Sequence, residues 1–229
     1  MLKGKTFLAI VPARGGSKRL PRKNVLDLNG KPLIAWSVNA GLESTYVDKV
    51  VVTSDNEEIL QIARILNVNT IKRPECLASD TASTFDAITH TLDNLECYDY
   101  VVLLQPTSPL RNANHIDEAI RLLEEKKADA IVSVCEMDHS PLWSNTLDDT
   151  LSMEGFMKEE VLNKRSQDLE TYFRLNGAIY ICKTEKLLEE KSFFLKKNIY
   201  AYLMDKGTSI DIDTAFDFKI SEFLMSNDG

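Results

Sequence analysis

Two aspartates stand two residues apart in the run Ser209-Ile210-Asp211-Ile212-Asp213-Thr214. In an extended backbone, side chains at i and i+2 point to one face, so these carboxylates can share a hard cation. Mg²⁺ favours carboxylates together with phosphate oxygens and retained waters. The plainer alternative is a solvated turn in which Asp217 caps a following helix. Near the other end lies Val11-Pro12-Ala13-Arg14-Gly15-Gly16-Ser17-Lys18-Arg19-Leu20-Pro21-Arg22-Lys23-Asn24. From Arg14 to Lys23 it carries five cations (Arg14, Lys18, Arg19, Arg22, Lys23) and no acid. Gly15 and Gly16 permit positive φ and let backbone N–H groups approach phosphate oxygens. Arg14, Lys18 and Lys23 can neutralise a triphosphate, with arginine gripping it bidentately. The alternative is a solvated basic loop. The spacing matches neither G-x-x-x-x-G-K-[ST] nor G-x-G-x-x-G, which argues against a P-loop kinase and a nicotinamide enzyme.

The elements that must position these residues alternate between strand and helix. Thr6 to Pro12, Lys49 to Thr53, Tyr100 to Leu104 and Ala130 to Val134 read as buried strands. Between them, Pro32 to Leu42, the stretch with Ile59, Ile62, Ala63 and Leu66 on one face, Thr84 to Leu95 and Ile116 to Glu125 read as helices. Asp55 is the expected N-cap of the second, with Glu58 completing a capping box. Alternation of this kind implies an α/β fold, a mostly parallel sheet with helices on both faces. Ligands in such folds bind beyond the carboxyl ends of strands, where the basic loop lies. From Glu136 to Asn176 the sequence is polar and aperiodic, too long for one bare loop. It reads as an insertion, with 137–176 as a dimerisation subdomain built around a hairpin, inside one domain spanning 1–229. The α/β pattern resumes with Ala178 to Cys182, Lys183 to Glu190, Ile199 to Leu203 and a last helix from Phe216 to Leu224.

Bulk properties narrow the function classes. A net charge of −8 disfavours non-specific nucleic-acid and anionic-membrane binding, so the local basic run suggests one small anion held at one point. A nucleic-acid binder using Arg14 to Lys23 is the weaker class, and a non-catalytic nucleotide-binding module is the other competitor. No apolar run approaches a membrane span, and Met1 to Lys5 leads straight into a strand rather than an export signal. Cys76, Cys97, Cys135 and Cys182 lie far apart, without metal or redox spacing, so the expectation is reduced thiols in the cytoplasm. His90, His115 and His139 show no ligand spacing either.

Three further motifs join the loop and the aspartate run: Leu77-Ala78-Ser79-Asp80-Thr81-Ala82-Ser83, Gln105-Pro106-Thr107-Ser108-Pro109-Leu110-Arg111 and Asn176-Gly177-Ala178-Ile179-Tyr180. Taken alone, Ser83 or Thr84 could be a helix N-cap, and the second motif a proline-rich turn. In this order the five motifs resemble the acylneuraminate cytidylyltransferases, or CMP-sialic acid synthetases, over nearly the whole chain. CMP-Kdo synthetases are less similar, because their loop lacks the Gly-Gly-Ser-Lys run and the Lys23-Asn24 ending. The resemblance implies a three-layer Rossmann-like nucleotidyltransferase fold with a small inserted dimerisation subdomain. It implies transfer of CMP from CTP to a nonulosonic acid, with N-acetylneuraminic acid the first choice and legionaminic acid the rival, by a homodimer using Mg²⁺. Arg14, Gly15, Gly16, Ser17, Lys18, Lys23, Asn24, Arg73 and Ser83 would hold the nucleotide, Ser83 close to the ribose. Gln105 would contact the acyl sugar with Arg174 and Tyr180, and Phe193 and Phe194 would reach across from a second subunit. Composition alone reads Tyr180, Phe193 and Phe194 as core. Asp211 and Asp213 would bind the metal, and Arg14, Lys23, Arg165 and Asp211 would be catalytic. The chain departs from the family at Ser166, where a second arginine is usual, and at Trp143, where many relatives carry a lysine.

Overall fold

Residues 2–79 and 82–227 are described by the computed structural model. From the N-terminus run β1 (Phe7–Pro12), a short ribbon of β2 (Asp27–Leu28) and β3 (Lys31–Pro32), α1 (Leu33–Glu43), β4 (Lys49–Ser54) and α2 (Glu57–Ile65). Then come β5 (Asn69–Lys72), α3 (Thr84–Leu92), β6 (Tyr100–Leu103), α4 (Ala113–Lys126) and β7 (Ala130–Glu136). The last elements are β8 (Phe173–Lys183), α5 (Thr184–Glu190), β9 (Ile199–Met204) and α6 (Ala215–Asn227). Seven strands form one sheet in the order β5-β4-β1-β6-β8-β7-β9, and only β8 runs antiparallel to its neighbours.

Both faces of this sheet are covered, which is why its central strands read as unbroken apolar runs. Phe7, Ala9 and Val11 of β1 pack on one side with Ile34 and Val38 of α1, Ile59 of α2 and Ile116 and Ile120 of α4. Leu8 and Ile10 pack on the other with Ile88 of α3 and Leu187 of α5. The expected three-layer, mostly parallel architecture is present. Among the described residues no helix is long and apolar enough to cross a membrane.

Two elements differ from expectation. The edge strand β5 carries Asn69, Thr70 and Lys72, so it lacks an apolar signature. β8 begins at Phe173 rather than Ala178, because Phe173 and Leu175 point outward and a register shift between Val132 and Val134 in β7 breaks the alternation. Residues 173–176 therefore belong to the sheet. The irregular segment is 137–172, the tip of an antiparallel β7–β8 pair extended by Met137 N–H donating to the Tyr172 carbonyl (2.8 Å). Its regular structure is three 3₁₀ turns at Pro141–Trp143, Glu159–Val161 and Ser166–Asp168.

Candidate active site

The basic loop leaves the end of β1 and is tied at both ends. Gly15 N–H donates to Asp55 Oδ1 (3.1 Å), and the buried Asn24 donates its amide to the Arg14 carbonyl (3.0 Å). A Cβ on Gly15 would lie 2.8 Å from Asn56 Nδ2, so glycine is required there for close approach. Neither Gly15 nor Gly16 has positive φ, contrary to expectation, and the space beside Gly16 is open. The α2 cap also differs. Asn56 accepts from Ile59 N–H (3.2 Å), which leaves Asp55 to hold the loop, and Glu58 pairs with Arg22 (2.5 Å) instead of closing a capping box.

The loop forms one wall of a cavity of about 540 Å³. Arg14, Ser17, Lys18, Lys23 and Asn24 line it from this side, with Arg19, which the sequence reading left unassigned. Arg73, Ser83, Gln105 and Asp213 face them. Arg73 follows β5 and is 6% exposed, yet the nearest acid, Asp55, is 4.0 Å away and Nε has no acceptor among the described residues. Burial lowers the Arg73 pKa; Asp55 opposes that shift and the Arg14 charge reinforces it. Two guanidinium groups converging on one cavity favour a polyanion. Ser83 serves both readings: it caps α3 by accepting from Asp86 N–H (3.1 Å), and it lines the cavity. Asp80 and Thr81 of the same motif lie outside the described residues.

The acidic end meets this cavity. Ile212 is fully buried, and its N–H donates to the Thr107 carbonyl (2.8 Å), which anchors the aspartates on either side. Asp213 receives Arg19 Nη1 on Oδ2 (3.0 Å) and Lys23 Nζ on Oδ1 (3.4 Å); Lys23 also donates to the Ile212 carbonyl (2.6 Å). Asp211 opens to solvent on one side, yet surrounding protein desolvates its carboxyl enough to raise the pKa. A Thr107 hydrogen bond opposes the rise, the Asp213 charge adds to it, Lys23 opposes it and Asp217 adds. Asp217 accepts from Thr214 N–H (2.7 Å) and Asp213 N–H (3.1 Å) at the start of α6, the capping role considered for it.

A buried polar brace, missed in the sequence, joins three motifs. Asn176 donates to Ser209 Oγ (2.9 Å) and accepts from Ser133 Oγ (2.6 Å), which in turn accepts from Ile179 N–H (2.8 Å). Gly177 has φ +74°, and a Cβ there would lie 3.2 Å from Gln105 Oε1 and 3.7 Å from Asp211 Oδ2. Gln105 and Asp211 thus converge on Gly177. The glycine-containing motif was the available signal, but only spatial neighbours reveal its purpose.

Other expected sugar-side residues are more scattered. Arg174 bridges to the Ser209 carbonyl (3.2 Å) and so braces the aspartate run. Arg165 sits on an exposed 3₁₀ turn, outside the cavity lining. Tyr180 is buried with its pKa raised by burial and by Asp211. Phe193 and Phe194 pack on Tyr180 of their own chain, with centroids 5.9 and 6.0 Å away, rather than being presented only to a partner. Phe193 is core, as composition suggested, whereas Phe194 is 50% exposed.

A family model described as cytidylyltransferase matches residues 8–224. An N-acylneuraminate cytidylyltransferase of Escherichia coli O18:K1:H7 is 39% identical over 216 residues, covering 94% of this chain and 51% of the relative. The chain thus spans about half the length of that relative. A CMP-N,N'-diacetyllegionaminic acid synthase of Legionella pneumophila is 36% identical over 96% of both chains. A solved CMP:2-keto-3-deoxy-manno-octonic acid synthetase complexed with CTP has the same fold, with TM-score 0.75 at 18% identity over 98% of this chain and 100% of that one.

Proposed function

The chain belongs to the cytidylyltransferase family, and from that premise we propose that it transfers CMP from CTP to the anomeric hydroxyl of a nonulosonic acid, releasing pyrophosphate. The observation that carries this reading is the meeting of a cation-lined cavity with Asp213, two residues from Asp211, through Lys23 and Arg19. The anomeric oxygen attacks the α-phosphorus and the bond to the pyrophosphate oxygen breaks. Charge repulsion and misalignment dominate such a barrier, so positioning and electrostatics supply most of the catalysis. Arg14, Lys18 and Lys23 bind the triphosphate and stabilise the leaving group. Gly15, Gly16, Ser17 and Asn24 shape the loop around it, and Arg73 and Ser83 hold the nucleoside side. Gln105 orients the acceptor sugar next to Asp211.

Mg²⁺ fits the donor set. Asp211 and Asp213 are hard oxygen donors on one short run; the ion would take the place of Arg19 and Lys23 on Asp213, and among the described residues no third acid, histidine or cysteine joins the pair. That leaves positions for phosphate oxygens and water, as Mg²⁺ prefers. When bound, the ion would neutralise phosphate charge and lower the pKa of the attacking hydroxyl.

The acceptor is read as N-acetylneuraminic acid, with the diacetyllegionaminic relative keeping that sugar as the rival. A homodimer is supported by an apolar row across three strands. Leu175, Val134 and Leu203 are in register on β8, β7 and β9, and Leu175 and Leu203 are 50% and 59% exposed. Phe173, 50% exposed, extends the row, and the 137–172 segment that leaves it would close over the second copy. In the dimer Arg165 and Phe194 would complete the acceptor pocket. Free cysteines and dependence on CTP fit the cytoplasm.

The test is pyrophosphate release with CTP against a panel of nonulosonic acids and Kdo. Turnover with a nonulosonic acid supports the reading. Strict preference for Kdo, or CTP binding without turnover on any acceptor, overturns it.

A further inference from the structure

Arg111 ends the Gln105 motif, and its side chain is 1% exposed. Taking a guanidinium out of water is costly, and such groups normally find a carboxylate. Arg111 has none among the described residues, and burial alone pulls its pKa down to about 9. Nη2 and Nε bond backbone and hydroxyl oxygens instead, and the buried Nη1 has no partner among the described residues. Nη2 reaches Ser37 Oγ (2.7 Å) and the Gln105 carbonyl (3.4 Å), and Nε reaches the Ala178 carbonyl (3.4 Å). Ser37 Oγ donates to the same Gln105 carbonyl (3.0 Å), and Ser108 N–H adds a third donor (3.4 Å). One carbonyl is therefore fixed from α1, from its own turn and from Arg111.

The second anchor makes this more than a packing detail. Ala178 directly follows Gly177, the residue on which Gln105 Oε1 and Asp211 converge. A planar fork is the side chain able to span α1, the Gln105 turn and β8 with fixed geometry, which a neutral amide or a lysine would not do. We infer that Arg111 is a positioning residue, with Ser37 as its bridge, that fixes Gln105 against the Asn176–Ala178 stretch of β8 and so sets how the acceptor sugar is held. This rests on the CMP-transfer reading.

The experiment measures acceptor KM, kcat and CTP affinity in Ser37→Ala and Arg111→Lys, each alone and in a Gln105→Ala background. Displacement of a positioning group by about 1 Å costs up to ~100-fold, so Arg111→Lys is expected to raise acceptor KM on the order of tenfold or more. Ser37→Ala should do the same to a smaller extent, and CTP affinity should stay within about twofold in both. In the Gln105→Ala background neither substitution should raise acceptor KM further. Arg111 also lines a second cavity, of about 270 Å³, which gives a further readout. Arg111→Ala should regain acceptor affinity when guanidinium ion is added below denaturing concentration. Ser37→Ala is the variant that tests the idea even where the Arg111 variants fail to fold. Acceptor KM unchanged in Ser37→Ala, or raised as much without Gln105 as with it, overturns the inference. An inactive wild type on every nonulosonic acid instead overturns the reaction on which it rests.

Discussion

On the side of the cleft proposed for the nucleotide, the parallel strands β1 and β4 end together, and each is followed by residues that reach the cavity or hold its loop: Arg14 to Asn24 and Asp55. On the acceptor side, one antiparallel strand, β8, must do the same work with a positive-φ glycine and a polar brace, and it runs on into exposed Phe173 and Leu175. The first half closes within one chain. The second leaves Phe194 half exposed and Arg165 on an outlying turn. The difference teaches where self-sufficiency ends: on the proposed reading one chain supplies the whole phosphate half, whereas the acceptor half needs a second copy.

The sharpest probe is at the seam. Asp211→Asn keeps shape but removes the charge that would meet the metal, and turnover should fall on the order of 10³-fold while CTP still binds. Pyrophosphate release and direct CTP titration check the two parts, and unchanged turnover would remove Asp211 from the metal set. Burial raises the Asp211 carboxyl of the metal-free protein, so Mg²⁺ binding, which needs the carboxylate, should strengthen as pH climbs out of the acid range. The stability sign is opposite. A carboxyl raised in the folded state binds its proton more tightly there than in the unfolded chain, so stability falls as pH climbs through that pKa. Asp211→Asn should therefore flatten that decline in urea titrations across the weakly acid range.

These halves were also unequally legible in the sequence. The central strands, the helices between them and the basic loop follow from apolar runs, turn residues and charge, all of which are local. Lys23 beside Asp213 is separated by most of the chain, and no periodicity connects them; only the family resemblance did. Asn176, Ser133, Gly177 and Arg111 were hidden for a different reason. Their partners lie on elements distant in sequence, so their value exists only after the fold is assembled. Asp55 looked like a helix cap because Asn56 beside it is an equally good one, and only the need of Gly15 for an acceptor decides between them.

Within the nucleotide half, Arg73→Met separates binding from stability. A hydrogen bond to a charged group contributes about 1.5–3 kcal/mol, so CTP affinity should drop roughly 10- to 100-fold. The fold should be as stable or more so, since a buried guanidinium whose nearest acid among the described residues is 4.0 Å away is replaced by an apolar chain. A large loss of thermal stability with CTP binding intact would make Arg73 structural. In the acceptor half, Leu175→Arg should weaken self-association about tenfold or more, seen in sedimentation velocity, and raise acceptor KM without moving CTP affinity. A chain that stays fully associated, or is monomeric to begin with, breaks the contrast between the two halves.

The smallest effect tests whether the basic run acts as one patch. Arg22 belongs to it by sequence, but its guanidinium leaves the cavity to pair with Glu58, and both side chains are largely exposed. Such pairs contribute about 0–1 kcal/mol. Arg22 also has φ 58°, a conformation that asparagine tolerates better than most residues. Arg22→Asn should thus change stability by no more than about 1 kcal/mol and CTP affinity by less than about twofold, whereas Lys23→Asn should sharply weaken both binding and turnover. Adjacent cations would then differ because one points at Asp213 and the other at α2. Equal losses from the two substitutions would mean that the loop attracts the triphosphate by summed charge, not by placed contacts.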